Sequence, residues 1–399
     1  MDEIEKFLKN RTDEGLLRQL RPISYRKGGR IYIGKREYID FSSNDYMGLA
    51  GHPKLIEAAK DALDRFGTSS SASRLLTGDL DIHHKLEEIV AEFKNKESAL
   101  TFNTGYQANI GILSSLYTKN DAIFSDRLNH ASIVDGILLS RAKLFRFLHN
   151  DLNHLKSLLK SQRQKFKKAL IVTETVFSMD GDRSPLKELV DLKDRYDCQI
   201  MVDEAHATGI FGKNGAGVVE EEDLANRVDL IMGTFSKALG SFGAYLATSK
   251  KVTEYLINTC RSFIYSTSLP PAVVACNLTS LELVREDGNR RKKLLAISQY
   301  FRDRLKNAGF NVKGSSQIVP IVIGENAKTL GLTKRLQEKG YWVLPIRPPT
   351  VPAGEARLRF SLTCHHDMET LQKLIEDILE VIPPTPNLRQ HMAESRNAR

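Results

Sequence analysis

Lys237 stands in the stretch Gly233-Thr234-Phe235-Ser236-Lys237-Ala238-Leu239-Gly240, directly after the apolar run Val228-Asp229-Leu230-Ile231-Met232. A run of that length and type reads as a buried strand. A primary amine among small residues at the end of a core strand loses hydration. Desolvation favours the neutral amine, the form that condenses with an aldehyde. On its own the stretch equally describes a surface lysine that caps a strand. Ile200-Met201-Val202-Asp203-Glu204-Ala205-His206 ends another apolar strand on an acid, and a buried acid needs a cationic partner. Gly105-Tyr106 opens a helix after the strand Ala99 to Asn103, where backbone amides and the helix dipole make an anion site. His130 follows the strand Ala122 to Ser125, and Ser178 lies in Val176-Phe177-Ser178-Met179-Asp180-Gly181. Each of these two alone fits an ordinary loop or turn.

Two enzyme classes compete for these residues. Asp203-Glu204-Ala205-His206 spells the acidic box of a nucleic-acid-dependent ATPase, which would suit a basic chain. Such an enzyme also needs a GxxxxGK[ST] loop to cradle phosphates and magnesium. Gly34-Lys35 is followed by Arg36 and Gly212-Lys213 by Asn214, so that loop is absent from the sequence. The other class is pyridoxal phosphate chemistry. It requires a Schiff-base lysine, an acid that keeps the pyridine nitrogen protonated, and a phosphate cup. Lys237, Asp203 and Gly105-Tyr106 supply all three at ends of elements of one sheet.

The elements that must position these groups follow from periodicity. From Ser98 onward, short apolar strands alternate with amphipathic helices, the pattern of a mostly parallel sheet covered on both faces. In such sheets ligands bind outside the carboxyl ends of the strands, where the residues above fall. Pro53 to Phe66 reads as a helix with proline in its first turn, and Gly28 to Phe41 as a small hairpin-like stretch. The small-hydroxyl run Gly67 to Gly78, with Arg74, fits an active-site loop at least as well as a linker. Past Leu269-Pro270-Pro271 come two long helical patterns, strands at Phe310 to Val312, Val319 to Ile323, Trp342 to Leu344 and Arg357 to Leu362, and a last helix to Ile382. The expected division is an N-terminal arm and hairpin over 1–45, a large cofactor-binding domain over 46–284 and a smaller α+β domain over 285–385. A polar tail over 386–399 is expected to be disordered.

The chain has 399 residues, enough for a large core, and a formal net charge of +9. Its Lys and Arg read as scattered, apart from Arg290-Arg291-Lys292-Lys293 and the region 165–168. A diffuse positive field favours anionic partners. The four cysteines are far apart and form no CxxC pair, which argues against a disulfide framework or a zinc site and for a reducing compartment. The start is acidic with no apolar signal core, and no apolar run approaches the ~18–20 residues that span a bilayer. A cytoplasmic protein with no metal, nucleic-acid or membrane partner is expected.

Phe41-Ser42-Ser43-Asn44-Asp45-Tyr46, Asp126 to Ser132, Val176 to Gly181, Val202 to His206 and Thr234 to Lys237 resemble the motifs of the α-oxoamine synthases. These are pyridoxal phosphate enzymes of fold type I that join an amino acid to an acyl thioester with loss of carbon dioxide. The resemblance runs over nearly the whole chain. Within the family, Ile346 to Gly354 followed by Ala356-Arg357-Leu358-Arg359 is similar to the member that condenses L-alanine with pimeloyl-CoA or pimeloyl-carrier protein in biotin biosynthesis. Glycine C-acetyltransferase and serine palmitoyltransferase are the alternatives in the same family. A catalytically inactive subunit is a further alternative, one expected to have lost Lys237 or Asp203.

The resemblance implies that Lys237 bonds the cofactor, Asp203 pairs with its ring nitrogen and His130 stacks on the ring. It implies that His206 and Ser178 reach the ring's phenolic oxygen, and that Thr234 and the amides of Gly105 and Tyr106 reach the phosphate. It places Asn44 and Arg359 on the amino-acid carboxylate, and Arg18 (or the nearby Arg21) and Thr350 on the acyl substrate. It implies a homodimer, in which Thr267 reaches the partner's cofactor phosphate. Ala72, where relatives often have glycine, and Cys364, where a small residue such as alanine is common, depart from the pattern.

Overall fold

The computed structural model describes residues 1–382; the expected tail and the end of the small domain lie outside them. Contacts divide the chain into two compact units. Among the described residues one comprises 1–48, 178–182 and 292–382; the other comprises 49–177 and 183–291. The N-terminal arm, which the sequence reading set apart, thus belongs to the same unit as the C-terminal segment. The reason is a strand pairing. β1 (Tyr25–Lys27), β2 (Arg30–Ile33) and β3 (Arg36–Asp40) form an antiparallel meander. β3 then pairs in parallel with a strand more than 300 residues later, Tyr341 opposite Ile39.

The larger unit is built on seven strands: β4 (Ser98–Phe102), β5 (Ala122–Asp126), β6 (Lys143–Phe147), β7 (Ala169–Glu174), β8 (Gln199–Asp203), β9 (Leu230–Thr234) and β10 (Ala244–Thr248). Their order is β4-β10-β9-β8-β7-β5-β6. Every pair from β9 through to β6 is parallel, and β10 runs antiparallel to both β4 and β9. The mostly parallel sheet expected from the sequence is present. The strand β10 was not foreseen, because its five residues between Gly243 and Ser249 carry no long apolar run.

β5, β7 and β9 are buried along their whole length and β8 beyond Gln199, as parallel strands covered on both faces require, and the antiparallel β10 is buried with them. One face packs Leu100, Ile123, Val172, Met201 and Met232 against Ile112 of the helix Gly105–Leu116, Ile133 of the helix Ala131–Ser140 and Leu256 of the helix Lys250–Thr259. The first two of these helices touch closely at Gly136, where an added Cβ would lie 2.8 Å from the Asn109 carbonyl and 3.0 Å from Leu113. Any side chain there would push the helix that begins after His130 away from the helix that begins at Gly105.

In the smaller unit, β11 (Ile318–Gly324), β12 (Tyr341–Trp342), β13 (Leu344–Ile346) and β14 (Ala356–Ser361) follow. β11, β14 and β13 form an antiparallel sheet, and β12 is the strand that pairs with β3. The strand expected at Phe310 to Val312 reduces to one bridge, Val312 with Ile321.

Candidate active site

The carboxyl ends of β7, β8 and β9 bring Glu174, Asp203 and Thr234 to one side of the large sheet, at a cavity of about 180 Å³. Gly105, Tyr106, Asn109, His130, His206 and Lys237 also line it. Seven residues expected from the sequence to hold a cofactor therefore share one cavity: Gly105, Tyr106, His130, Asp203, His206, Thr234 and Lys237.

Each is held by the local fold. Thr104 caps the helix Gly105–Leu116, its hydroxyl accepting from the Gln107 amide at 3.1 Å. The Gly105 and Tyr106 amides, as first-turn groups, have no partner inside the helix. One turn further on, Asn109 donates to the Asp203 carboxylate and to the Ser132 hydroxyl, each at 3.0 Å. The helix whose N-terminus makes an anion site thus also fixes the acid. The other Asp203 oxygen accepts from the Ala205 amide at 2.9 Å. Asn109 is buried and its carbonyl oxygen has no partner.

His130 caps the helix Ala131–Ser140. Its Nδ1 accepts from the Ser132 amide at 3.3 Å and lies 2.7 Å from the Ser132 hydroxyl. An Nδ1 that accepts puts the ring proton on Nε2. Burial lowers the His130 pKa and outweighs the opposing pull of Asp203, with the Lys237 charge adding to the lowering, so the ring is neutral near pH 7. Tyr106 stands edge-on to this ring, with centroids 6.3 Å apart, and its hydroxyl donates to Asp135.

Lys237 is half-buried on the turn after β9, and its Nζ lies 2.7 Å from His206 Nε2. That turn is shaped by Thr234, whose hydroxyl donates to the Gly243 carbonyl at 2.7 Å and accepts from the Ser236 amide at 3.2 Å.

Two further residues of the cavity were not singled out in the sequence, Glu174 and Asn109. Glu174 is 3% exposed and accepts from the His130 amide at 2.7 Å. Burial first, then the Asp203 carboxylate beside it, pushes its carboxyl up to about 8. It could have been found by the rule that singled out Asp203, since it too is an acid ending an apolar strand. Asn109 offers no such signal.

The other expected residues are not among those that line this cavity. Thr267 is exposed and absent from this cavity; it forms a bridge with Ser73, and its carbonyl accepts from Asn103 at 2.8 Å. In the smaller unit Arg359, 8% exposed, donates to the Ser178 carbonyl at 2.6 Å and the Ser361 hydroxyl at 2.7 Å. It also lies 3.4 Å from Asn44 Oδ1 and 3.3 Å from the Tyr46 hydroxyl. Ser178, Asn44 and Arg359 thus form one cluster. Arg357, two residues along the same strand face, is fully buried and pairs with Asp180 and, at 2.7 Å, with Glu355. The two arginines clamp 178–180 onto β14. Arg18 donates to Thr350 at 2.9 Å, whereas Arg21 goes to Gln337 at 3.4 Å.

A larger cavity, about 510 Å³, holds Arg74, but Glu87 and Asp79 already pair with its guanidinium. The smaller one has the donor set for pyridoxal phosphate: helix amides for a phosphate, a fixed carboxylate for a ring nitrogen, a flat imidazole and an amine.

A lysine and an acid at adjacent strand ends, beside an anion-binding helix, are the site of a fold-type I pyridoxal phosphate enzyme. The chain belongs to the class I and II aminotransferase family, whose profile matches residues 36–378. More narrowly, it is 49% identical over 371 residues to 8-amino-7-oxononanoate synthase of Geobacter sulfurreducens, covering 92% of this chain and 95% of that one. Among solved structures, serine palmitoyltransferase of S. paucimobilis with a bound PLP–myriocin aldimine superposes with a TM-score of 0.90 at 31% identity, over 95% of this chain and 96% of that one. The 8-amino-7-oxononanoate synthase of Francisella tularensis gives 0.76 at 31% identity, over 86% and 97%. Among the described residues no helix is long and apolar enough to cross a membrane.

Proposed function

We propose that this protein condenses L-alanine with a pimeloyl thioester to give 8-amino-7-oxononanoate, carbon dioxide and a free thiol, the step that serves biotin biosynthesis. The observation that carries the chemistry is the Lys237 amine at 2.7 Å from His206, in one cavity with Asp203 and the amides of Gly105 and Tyr106. The 49% identity to an 8-amino-7-oxononanoate synthase supports the substrate pair. The higher TM-score of the serine palmitoyltransferase measures backbone shape, which relatives with different substrates share. Side-chain identity weighs more for specificity.

Pyridoxal phosphate is the cofactor; when bound it supplies the electron sink for a carbanion at the amino acid's α-carbon. The Gly105 and Tyr106 amides and Thr234 would hold its phosphate. Asp203, fixed by Asn109 and Ala205, would accept the hydrogen bond of its ring nitrogen. His130, neutral and held by Ser132 and Glu174, would stack on its ring, and His206 and Ser178 would bind its phenolic oxygen. Lys237 would hold the cofactor through its amine, and that amine would move the proton at the amino acid's α-carbon. Arg359 and Asn44 hold the alanine carboxylate until it leaves as carbon dioxide, while Arg18 and Thr350 bind the acyl thioester. The enzyme works as a cytoplasmic homodimer, in which Thr267 contributes to the partner's phosphate site.

Purified protein loaded with pyridoxal phosphate is expected to release thiol with L-alanine and pimeloyl-CoA. Glycine with acetyl-CoA, or L-serine with palmitoyl-CoA, should release far less. Light scattering should give twice the chain mass of 44.9 kDa. Preference for either other pair would discard the pathway and keep the family chemistry. A fully active monomer would discard the shared site.

A further inference from the structure

The positive charge is less evenly spread than the sequence reading held. Residues 15–36 carry seven Lys and Arg and no Asp or Glu, so this segment alone accounts for +7 of the formal +9. All seven cations are exposed. On the β1–β2 hairpin, Lys27 sits directly opposite Arg30, a like-charge pair that costs folding free energy. Lys35 and Arg36 stand at the other end of β2, where Arg36 faces Ile33, about 10 Å along the strand from Arg30 at ~3.3 Å per residue. Two anions on the neighbouring strand β3 oppose this field only partly. Glu37 pairs with Arg30 at 2.5 Å, and burial raises the Asp40 carboxyl toward its neutral form.

Among these cations lie exposed apolar groups. Leu20 is fully exposed, and Ile23 and Tyr25 are 40% and 57% exposed. Tyr25 packs on Tyr32 with ring centroids 5.7 Å apart. An apolar centre with a charged rim is the composition of a protein docking patch. A phosphate pocket would instead converge its donors on one point, whereas these cations stand along an open hairpin.

We propose that residues 20–36 dock an acidic carrier protein that delivers the acyl chain. This rests on the function proposed above, because the patch follows two residues after Arg18, which is bonded to Thr350, the two residues assigned to the acyl thioester. The partner is identified by its chemistry: a negatively charged protein surface around a thioester-bearing arm. Coenzyme A, whose charge is confined to its phosphates, presents no such surface.

The test compares the holoenzyme with a triple variant, Arg26→Glu/Lys27→Glu/Lys35→Glu, using pimeloyl-carrier protein and pimeloyl-CoA as parallel substrates. KM for the carrier-bound substrate should rise roughly tenfold or more, with kcat unchanged, while the CoA reaction stays as it was. Raising salt from about 50 to 300 mM should weaken only the carrier reaction of the unmodified enzyme. An equal rise for both substrates would overturn the proposal in favour of a coenzyme A phosphate site, and no change for either would overturn it outright. Calorimetric titration with carrier protein lacking an acyl group separates docking from the reaction. If the unmodified enzyme turns over neither thioester, the proposed reaction fails. Carrier binding lost in the triple variant would still uphold the docking surface, and no binding by the unmodified enzyme would overturn it.

Discussion

Lys94 and Lys237 both bring an amine to the segment that follows β8, one to Glu204 and the other to His206. Asp203 and Glu204 are adjacent, yet Asp203 lines the cavity and Glu204 points into the protein, fully buried. Lys94 is 3% exposed and spends its donors on Glu204 at 2.7 Å, Thr208 at 3.0 Å and the Ala216 carbonyl. Burial works against its charge, but Glu204 and Tyr245 outweigh that, and its pKa is raised. The other Glu204 oxygen accepts from the Val219 amide at 3.0 Å, and Gly217, at φ +118°, lies so close that a Cβ would strike the carboxylate. A buried lysine whose charge is fully matched holds loops together. Lys237, half-buried beside an imidazole in an open cavity, is placed for chemistry. Burial alone therefore does not make a lysine reactive; the solvation left over after pairing does.

Removing each amine breaks this comparison in a different way. Lys237→Ala should lower turnover by about 10³-fold or more and let the cofactor wash out on a desalting column. Its urea-unfolding midpoint without cofactor should stay near that of the unmodified protein. Retained turnover would deny Lys237 its role. Lys94→Met should do the reverse, costing about 3–5 kcal/mol of stability because Glu204 is left as a buried unpaired charge. Adding Glu204→Gln should recover much of that loss. If Lys94→Met unfolds at the same urea concentration as the unmodified protein, yet loses activity, Lys94 belongs with the chemistry and the contrast fails.

The contrast also marks what the sequence could reveal. Lys237, Asp203 and the Gly105-Tyr106 helix start were legible because each ends or opens an element whose period is plain. The helix Pro53–Phe66 was legible for the same reason. Asn109 and Lys94 were not, because their meaning lies in partners 94 and 110 residues away. Arg357 was hidden by its neighbour: in Arg357-Leu358-Arg359 the resemblance explains one arginine, and only the pairing of Asp180 explains the other. The cations of 15–36 escaped because they come singly or in pairs with uncharged residues between, so no long run appears. Charge clustering on a hairpin is a property of the fold.

Glu174 gives the smallest effect and the finest test, since it shares the cavity with Lys237 but is buried as deeply as Lys94. It ends β7 opposite Asp203 in the ladder. Burial, then Asp203, and to a lesser degree Asp126, favour its protonated form, while Lys237 and the His130 amide oppose them. With its carboxyl pushed up to about 8, the folded protein holds a proton at pH 6–7 that the unfolded chain has released. Stability of the cofactor-free protein should therefore fall as pH rises from the ordinary carboxylate range to about 8, by up to about 1.4 kcal/mol per pH unit from this group, and level off above. Glu174→Gln keeps the shape and cannot titrate, so urea midpoints between pH 5 and 8.5 should show a shallower slope than the unmodified protein. Near neutral pH the variant should keep most of its turnover, because a neutral group already stands there. Parallel slopes would mean that Glu174 is ionised beside Asp203. The cavity would then hold two carboxylates against the single Lys237 amine, unlike the one-to-one pairing of Lys94 with Glu204.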